Sequence, residues 1–198
     1  MEGGLLRRPT AFVLAGGKST RMGRDKAFVE FEGRTLLARA LGLARSVTPD
    51  VRIVGSYKKF AAFAPVVEDV FPGCGPLGGI HAALRSSPTE LNLMLAVDAP
   101  LLTSELLQYL LSQARRAPEA VGVVPRADRR WQPLCAIFRP GFAEAAEQSL
   151  RAGQNRIDRL FDLVTIRAIE EDELGRAGFS PAIFCNLNTP EELEKLRA

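Results

Sequence analysis

The chain has few of the residues on which metal centres and disulfide-bonded folds depend. Its 198 residues include three cysteines and one histidine. Cys74, Cys135 and Cys185 are far apart and form no CxxC pair, so we expect neither a zinc site nor a disulfide framework. His81 stands alone near the start of a predicted helix, where a histidine is usually structural, and we assign it no catalytic role.

Long apolar runs and long basic runs are also missing. The first ten residues lack the apolar core of a signal peptide, and no apolar segment approaches the roughly 20 residues needed to span a bilayer. The net charge is only +3, and no lysine–arginine run resembles a nucleic-acid patch. We therefore expect a cytoplasmic protein with no membrane or nucleic-acid partner.

The remaining composition is that of an ordinary globular protein. Hydrophobic residues make up 46% of the chain and charged residues 25%, which are typical values for a folded domain. The length is about that of one domain. We predict a single domain over residues 1–198.

The most informative stretch is AFVLAGGKSTRMGRDK, residues 11–26. An apolar run ends at Gly16 and Gly17, where backbone N–H groups can face an anion closely. Four cations, Lys18, Arg21, Arg24 and Lys26, surround a single aspartate. The spacing fits neither a Walker A loop nor the dinucleotide-binding fingerprint. A solvated turn is the alternative, but the cations favour a distinct loop that binds polyphosphate.

Strand and helix patterns alternate along the chain. Apolar runs predict strands at 11–14, 50–56, 66–67, 91–100, 120–125, 133–138 and 163–169. Helical spacing predicts helices at 35–45, from 76 or 77, at 104–115 and at 142–150, and a last helix capped by Thr189. This alternation predicts an α/β fold, Rossmann-like and doubly wound, with a mostly parallel sheet and helices on both faces.

One carboxylate lies where such a sheet binds ligands. Asp98 follows the strongest apolar strand, and ligands bind beyond the carboxyl ends of parallel strands. A helix N-cap is the alternative role, but Thr103 and Ser104 already fill it. Magnesium bound to a triphosphate needs only one or two protein carboxylates. We therefore predict that Asp98 binds Mg²⁺.

The loop LAGGKSTRMGRDK also carries a family resemblance. It resembles the nucleotidyltransferases that act on molybdopterin, among them the molybdenum cofactor guanylyltransferases. Cytidylyltransferase relatives typically have LAAG where this chain has LAGG. The resemblance extends over nearly the whole chain, with GPLGG at 75–79, QPL at 132–134 and NLNTPEE at 186–192, and it is weakest from 170 to 181. It implies the fold of the nucleotide-diphospho-sugar transferases.

The resemblance implies a nucleotide-binding half over about 10–115. In it, Asp98 binds the metal, and Arg21 and Lys26 stabilise charge during transfer. Asp69 contacts the nucleotide, with Glu68 as the competing choice. The implied nucleotide-binding residues are Leu14, Ala15, Gly16, Gly17, Lys26, Asp69, Gly75, Gly79 and Asp98. One departure concerns the base: the family often has an asparagine where this chain has Val54-Gly55-Ser56.

An acceptor-binding half over about 116–198 is implied as well. Arg156 is a candidate for the acceptor phosphate, the alternative being an exposed helix arginine. Asn186 and Asn188 are expected to face the active site, although either suits a turn. The loop from Arg126 to Trp131 offers cations and a flat ring for a pterin. A hairpin loop whose tryptophan packs on the rim is equally consistent with its sequence.

The activity implied by the resemblance is transfer of GMP from GTP to the terminal phosphate of molybdenum-bearing molybdopterin, with release of pyrophosphate. Such a phosphate is largely a dianion at neutral pH, so no general base is needed. Molybdoenzymes or other cofactor-biosynthesis proteins are candidate partners. The alternatives are a cytidylyltransferase, a sugar-phosphate nucleotidyltransferase, or a regulator that binds GTP without turnover.

Overall fold

A computed structural model describes residues 8–16, 25–187 and 192 of the chain. Within them, eight strands form one sheet whose main path runs β10-β7-β9-β6-β1-β4-β5, with β8 paired to β7. The strands are β1 (Thr10–Leu14), β4 (Val51–Val54), β5 (Val66–Val67), β6 (Asn92–Ala96), β7 (Gly122–Ala127), β8 (Arg130–Trp131), β9 (Cys135–Phe138) and β10 (Ile166–Ile169). A separate hairpin pairs β2 (Glu30–Phe31) with β3 (Arg34–Thr35).

The sheet is mostly parallel. β5, β4, β1 and β6 run side by side in one direction, and β10 is parallel to β7. β9 is antiparallel to both of its neighbours, β6 and β7. The carboxyl ends of β1, β4, β5 and β6 therefore meet at one edge, which is where the site lies.

Helices cover both faces of the sheet, as predicted. They are α1 (Leu36–Arg45), α2 (Tyr57–Phe60), α3 (Pro76–Ser86), α4 (Ser104–Arg116), α5 (Phe142–Arg151), α6 (Ile157–Leu160) and α7 (Glu171–Arg176), with 3-10 turns at Lys26–Phe28 and Pro181–Phe184. Apolar side chains of α1, α4 and α7 pack into one core, and those of α3, α5 and α6 into the other.

The alternation of side chains along β1 divides the two cores. Ala11 and Val13 point to the first, whereas Phe12 and Leu14 point to the second. All four are buried. Because both faces of the strand are covered, the sequence shows a continuous apolar run rather than an alternating pattern.

The predicted helix starts are confirmed where the chain is described. Thr35 accepts a hydrogen bond from Ala38 N (3.2 Å) and Thr103 from Leu106 N (3.4 Å), so each caps its helix. Helix α3 begins at Pro76, as the proline predicted. Apart from Glu192, which is helical, the helix predicted after Thr189 lies outside the described residues.

Some elements were not expected from the sequence. Helix α7 lies where the family resemblance is weakest, and β9 is antiparallel to its neighbours β6 and β7, as the short β8 is to β7. None of the helices in the described ranges has the length and apolar character needed to cross a bilayer.

Candidate active site

An open cleft of about 880 Å³ lies at the carboxyl edge of β1, β4, β5 and β6. It is lined by every described residue that was predicted to bind the nucleotide: Leu14, Ala15, Gly16, Lys26, Asp69, Gly75, Gly79 and Asp98. These residues come from four separate stretches of sequence. Their convergence follows from the parallel pairing of the strands, which brings the strand ends to one edge.

The cleft floor is a backbone ladder that continues beyond the strands. Ala15 N donates to Val54 O (3.0 Å), Gly55 N to Val67 O (3.0 Å), and Val97 N to Leu14 O (3.2 Å). Gly55 is packed tightly, because a Cβ there would lie 2.9 Å from the ring of Phe60. Gly16 is exposed at the end of this ladder.

The position of Lys26 is set by the residues next to it in sequence. Asp25 Oδ1 accepts from Ala27 N (3.2 Å) and so begins the 3-10 turn that carries Lys26, while Asp25 Oδ2 pairs with Lys59 Nζ (2.7 Å). From this turn Lys26 Nζ reaches Asp98 Oδ2 at 2.9 Å. The ion pair joins two residues that are 72 positions apart in sequence.

The Lys26–Asp98 pair is neither fully buried nor fully exposed. The two side chains are 20% and 21% exposed, so both can still meet a ligand in the cleft. The backbone of Asp98 is held as well, since its carbonyl accepts from Leu187 N at 2.8 Å. Asn186 precedes this contact and is exposed, which puts it near the end of β6 but not in the cleft lining.

Asp69 and Glu68 both line the cleft, but they hold different turns. Glu68 Oε1 accepts from Tyr57 N (2.9 Å) at the start of α2. Asp69 Oδ1 accepts from Phe71 N (2.8 Å), closing a turn of the Asx type. Burial raises the pKa of Asp69, and the hydrogen bond from Phe71 acts in the opposite direction.

The glycines at the start of α3 serve three different purposes. Gly75 has φ 67° and ψ −154°, a conformation that only glycine adopts readily. A Cβ on Gly78 would lie 2.8 Å from Asp69 Oδ2, whereas one on Gly79 would lie 3.2 Å from Leu14 Cδ2. Sequence reasoning singled out Gly75 and Gly79 but missed Gly78, although its second-glycine position within GPLGG was the available signal.

The described acceptor candidates lie outside the lining of the cleft. Arg156 is exposed, and its Nη2 pairs with Asp158 Oδ2 at 2.6 Å, which raises the pKa of Arg156. Trp131 packs against the Phe161 ring, with 4.9 Å between the ring centroids. The Arg126 guanidinium carbon lies over the Trp131 ring, 4.9 Å from the ring centroid. This packing matches the rim interpretation of the loop. Gly17, Arg21 and Asn188 lie outside the described residues.

Comparison with known proteins identifies the family. A family model described as a MobA-like NTP transferase domain matches residues 11–169. The chain belongs to this family. A probable molybdenum cofactor guanylyltransferase from Pelotomaculum thermopropionicum is 35% identical over 190 residues, covering 95% of this chain and 91% of that protein.

Two further relatives agree with this assignment. A molybdenum cofactor guanylyltransferase from Desulfosudis oleivorans is 32% identical over 192 residues, which cover 96% of this chain and 94% of that one. The crystal structure of molybdopterin-guanine dinucleotide biosynthesis protein A from Archaeoglobus fulgidus superposes with a TM-score of 0.80 at 25% identity, covering 94% of this chain and 95% of that one. The chain is thus a nucleotidyltransferase, and its predicted α/β fold is confirmed.

A divalent metal is typical of nucleotidyltransferases. The described part of the chain holds no cluster of three or more histidine, cysteine, aspartate or glutamate side chains suited to a metal. An all-protein cage is therefore absent there. Asp98 offers a hard carboxylate at the cleft, which suits magnesium shared with phosphate oxygens.

Proposed function

We propose that this chain transfers GMP from GTP to the terminal phosphate of molybdenum-bearing molybdopterin, giving the guanine dinucleotide cofactor and pyrophosphate. The observation that carries the proposal is the Lys26–Asp98 pair, set at 2.9 Å inside the cleft beside Leu14, Ala15 and Gly16. Relatives that cover more than nine-tenths of the chain bear the name molybdenum cofactor guanylyltransferase. Their name supports the same reaction here.

The reaction requires alignment and neutralisation of charge rather than a base. The attacking phosphate is largely a dianion at neutral pH. Lys26 stabilises the negative charge that develops on the phosphates, because its ammonium is already held in the cleft beside Asp98. Asp98 would hold Mg²⁺, which neutralises and orients the triphosphate when bound. Arg21 is assigned to the same charge stabilisation, and Gly17 to the nucleotide, on the family resemblance.

Recognition of the nucleotide uses both the backbone and Asp69. Leu14 to Gly16 present the exposed end of the backbone ladder, and Gly75 and Gly79 border the same cleft. We assign Asp69 to the nucleotide. Arg156, Asn186 and Asn188 are assigned to the acceptor, which would enter from the half of the chain after residue 115.

A cytidylyltransferase is the second candidate, because the residues placed to contact the base do not select guanine. The wall at Val54-Gly55-Ser56 has no asparagine amide for guanine. Ser56 lies at the start of α2, where it makes no side-chain capping bond. Glu68 accepts the Tyr57 N–H there. Ser56 is thus placed to contact a base, and this position does not distinguish guanine from cytosine.

The experiment is a thermal unfolding series with Mg²⁺ and GTP, CTP, ATP or UTP. A ligand at about 100 times its dissociation constant adds about 2.7 kcal/mol to the free energy of unfolding. Stabilisation by GTP alone, followed by transfer of label from the α-phosphate of GTP to molybdopterin, is the expected result. Stabilisation by CTP alone would favour the cytidylyl reaction. Binding of GTP without pyrophosphate release for any acceptor would instead indicate a regulator.

A further inference from the structure

The turn that carries Asp69 lies along one face of α3. Gly78 and His81 are three residues apart on that helix and so share a face. The Asp69 carboxylate lies over Gly78, where a Cβ would meet Oδ2 at 2.8 Å. The Phe71 ring lies edge-to-face against the His81 ring, with 5.2 Å between centroids and 73° between planes. The turn therefore has two points of contact with α3.

The two contacts are joined through the backbone of the turn. Phe71 N donates to Asp69 Oδ1 at 2.8 Å, so the position of Phe71 fixes the direction of the carboxylate. Asp69 and the neighbouring Pro72 and Gly73 line the cleft, whereas Phe71 is half-buried and packs against the core that contains α3. A shift of the Phe71 ring would therefore move a carboxylate that faces the cleft.

The His81 ring is itself held from a second helix. Its Nε2 lies 3.4 Å from Glu147 Oε2 on α5, and because a carboxylate can only accept, Nε2 must carry the hydrogen. Arg85 and Arg151 also pair with Glu147, and these partners lower the pKa of Glu147 to about 2. Glu147 is therefore ionised at neutral pH and available to His81.

Burial of a histidine at position 81 costs free energy of folding that burial of an apolar residue would not. His81 is only 3% exposed, and its Nδ1 is buried without a hydrogen-bond partner among the described residues. Leucine would fill the volume without a buried unpaired atom. The contacts on its two sides, Phe71 and Glu147, are what histidine provides and leucine lacks.

We propose that His81 is a positioning residue that holds Asp69 in the nucleotide cleft through the ring of Phe71. The inference rests on the proposed function, because it takes Asp69 to contact the nucleotide. It gives the chain's single histidine a role in nucleotide affinity without contact with the substrate. The role depends on the aromatic ring, so phenylalanine should replace histidine better than leucine does.

The test compares His81→Leu, His81→Phe and Phe71→Leu with the wild-type chain. An aromatic edge-to-face contact is worth enough to change affinity about 2- to 10-fold. We expect His81→Leu and Phe71→Leu each to raise the Kd and KM for the Mg²⁺–nucleotide by about that factor with kcat nearly unchanged. His81→Phe keeps the ring contact with Phe71 but loses the contact with Glu147, so it should raise the KM less than His81→Leu does. The double leucine variant should be no worse than either single one.

Leu84→Ala is the matched control. Leu84 is buried in the same core, on the same helix, one turn beyond His81. Its truncation should lower the unfolding temperature and leave the nucleotide KM unchanged. An unchanged KM in His81→Leu, an equal rise of KM in Leu84→Ala, or no rescue by His81→Phe would each overturn the inference. A wild-type chain that binds none of the four nucleoside triphosphates would contradict the proposed function instead.

Discussion

Separating the Lys26–Asp98 pair should abolish transfer while leaving the fold largely intact. The two side chains are 20% and 21% exposed, so the pair lies between a surface and a buried ion pair. A surface ion pair contributes up to about 1 kcal/mol to the free energy of unfolding, whereas loss of one partner of a buried pair costs about 3–5 kcal/mol. We expect Asp98→Asn or Lys26→Met to cost about 1 to 3 kcal/mol of unfolding free energy. For a domain of this size each kcal/mol lowers the unfolding temperature by about 2–4 °C.

The effect on the reaction should be much larger than the effect on stability. Removal of one group that stabilises developing charge typically lowers kcat by about 10²- to 10³-fold. The double variant Lys26→Met/Asp98→Asn removes both charges of this pair, so it should be more stable than the sum of the single variants predicts and still be inactive. Release of pyrophosphate and scanning calorimetry provide the two measurements.

A second ion pair provides the control. Glu173 on α7 pairs with Arg167 at 2.6 Å and accepts from Tyr109 Oη at 2.9 Å, outside the lining of the cleft. Glu173→Gln should lower the unfolding temperature to a similar extent and keep full activity. If Asp98→Asn retained more than a tenth of wild-type kcat, the assignment of Asp98 to the metal and the phosphates would be wrong.

Two further predictions concern the α3 face and its anchor. Gly78→Ala places a methyl group 2.8 Å from Asp69 Oδ2, so we expect weaker nucleotide binding in isothermal titration. Gly42→Ala is the control in α1, where open space surrounds the glycine, and it should raise the free energy of unfolding by about 0.5–1 kcal/mol in thermal unfolding. Unchanged nucleotide affinity in Gly78→Ala would contradict the first expectation. Because the folded-state pKa of Glu147 is lowered from 4.5 to about 2, its contribution to stability is present above the unfolded pKa and is lost as the pH falls toward 2. The difference in unfolding temperature between wild type and Glu147→Gln should thus be constant from pH 7 to about 5.5 and shrink below it, and a difference that grew on acidification would refute the assignment.

Several elements could be predicted from the sequence because their causes are local. The strand at Thr10–Leu14 is an apolar run cut by glycine, and α1 and α4 begin at threonine caps that satisfy their own first turns. The glycine and cation loop indicates a phosphate ligand by its local sequence, and this stays a prediction because residues 17–24 lie outside the described residues. Asp98 was found by its place after an apolar strand, which needs only the general rule for parallel sheets.

Other features depend on contacts between distant segments, which no local pattern encodes. The antiparallel direction of β9 results from its pairing with β6 and β7. Two segments that are distant in sequence must meet to form the 2.9 Å contact of Lys26 with Asp98. The packing of the Asp69 carboxylate against Gly78 likewise requires the turn after β5 to meet helix α3. The sequence by itself determined the strand and the caps. Only the tertiary structure decided which carboxylate faces which cation, because packing of helices on a sheet fixes those distances.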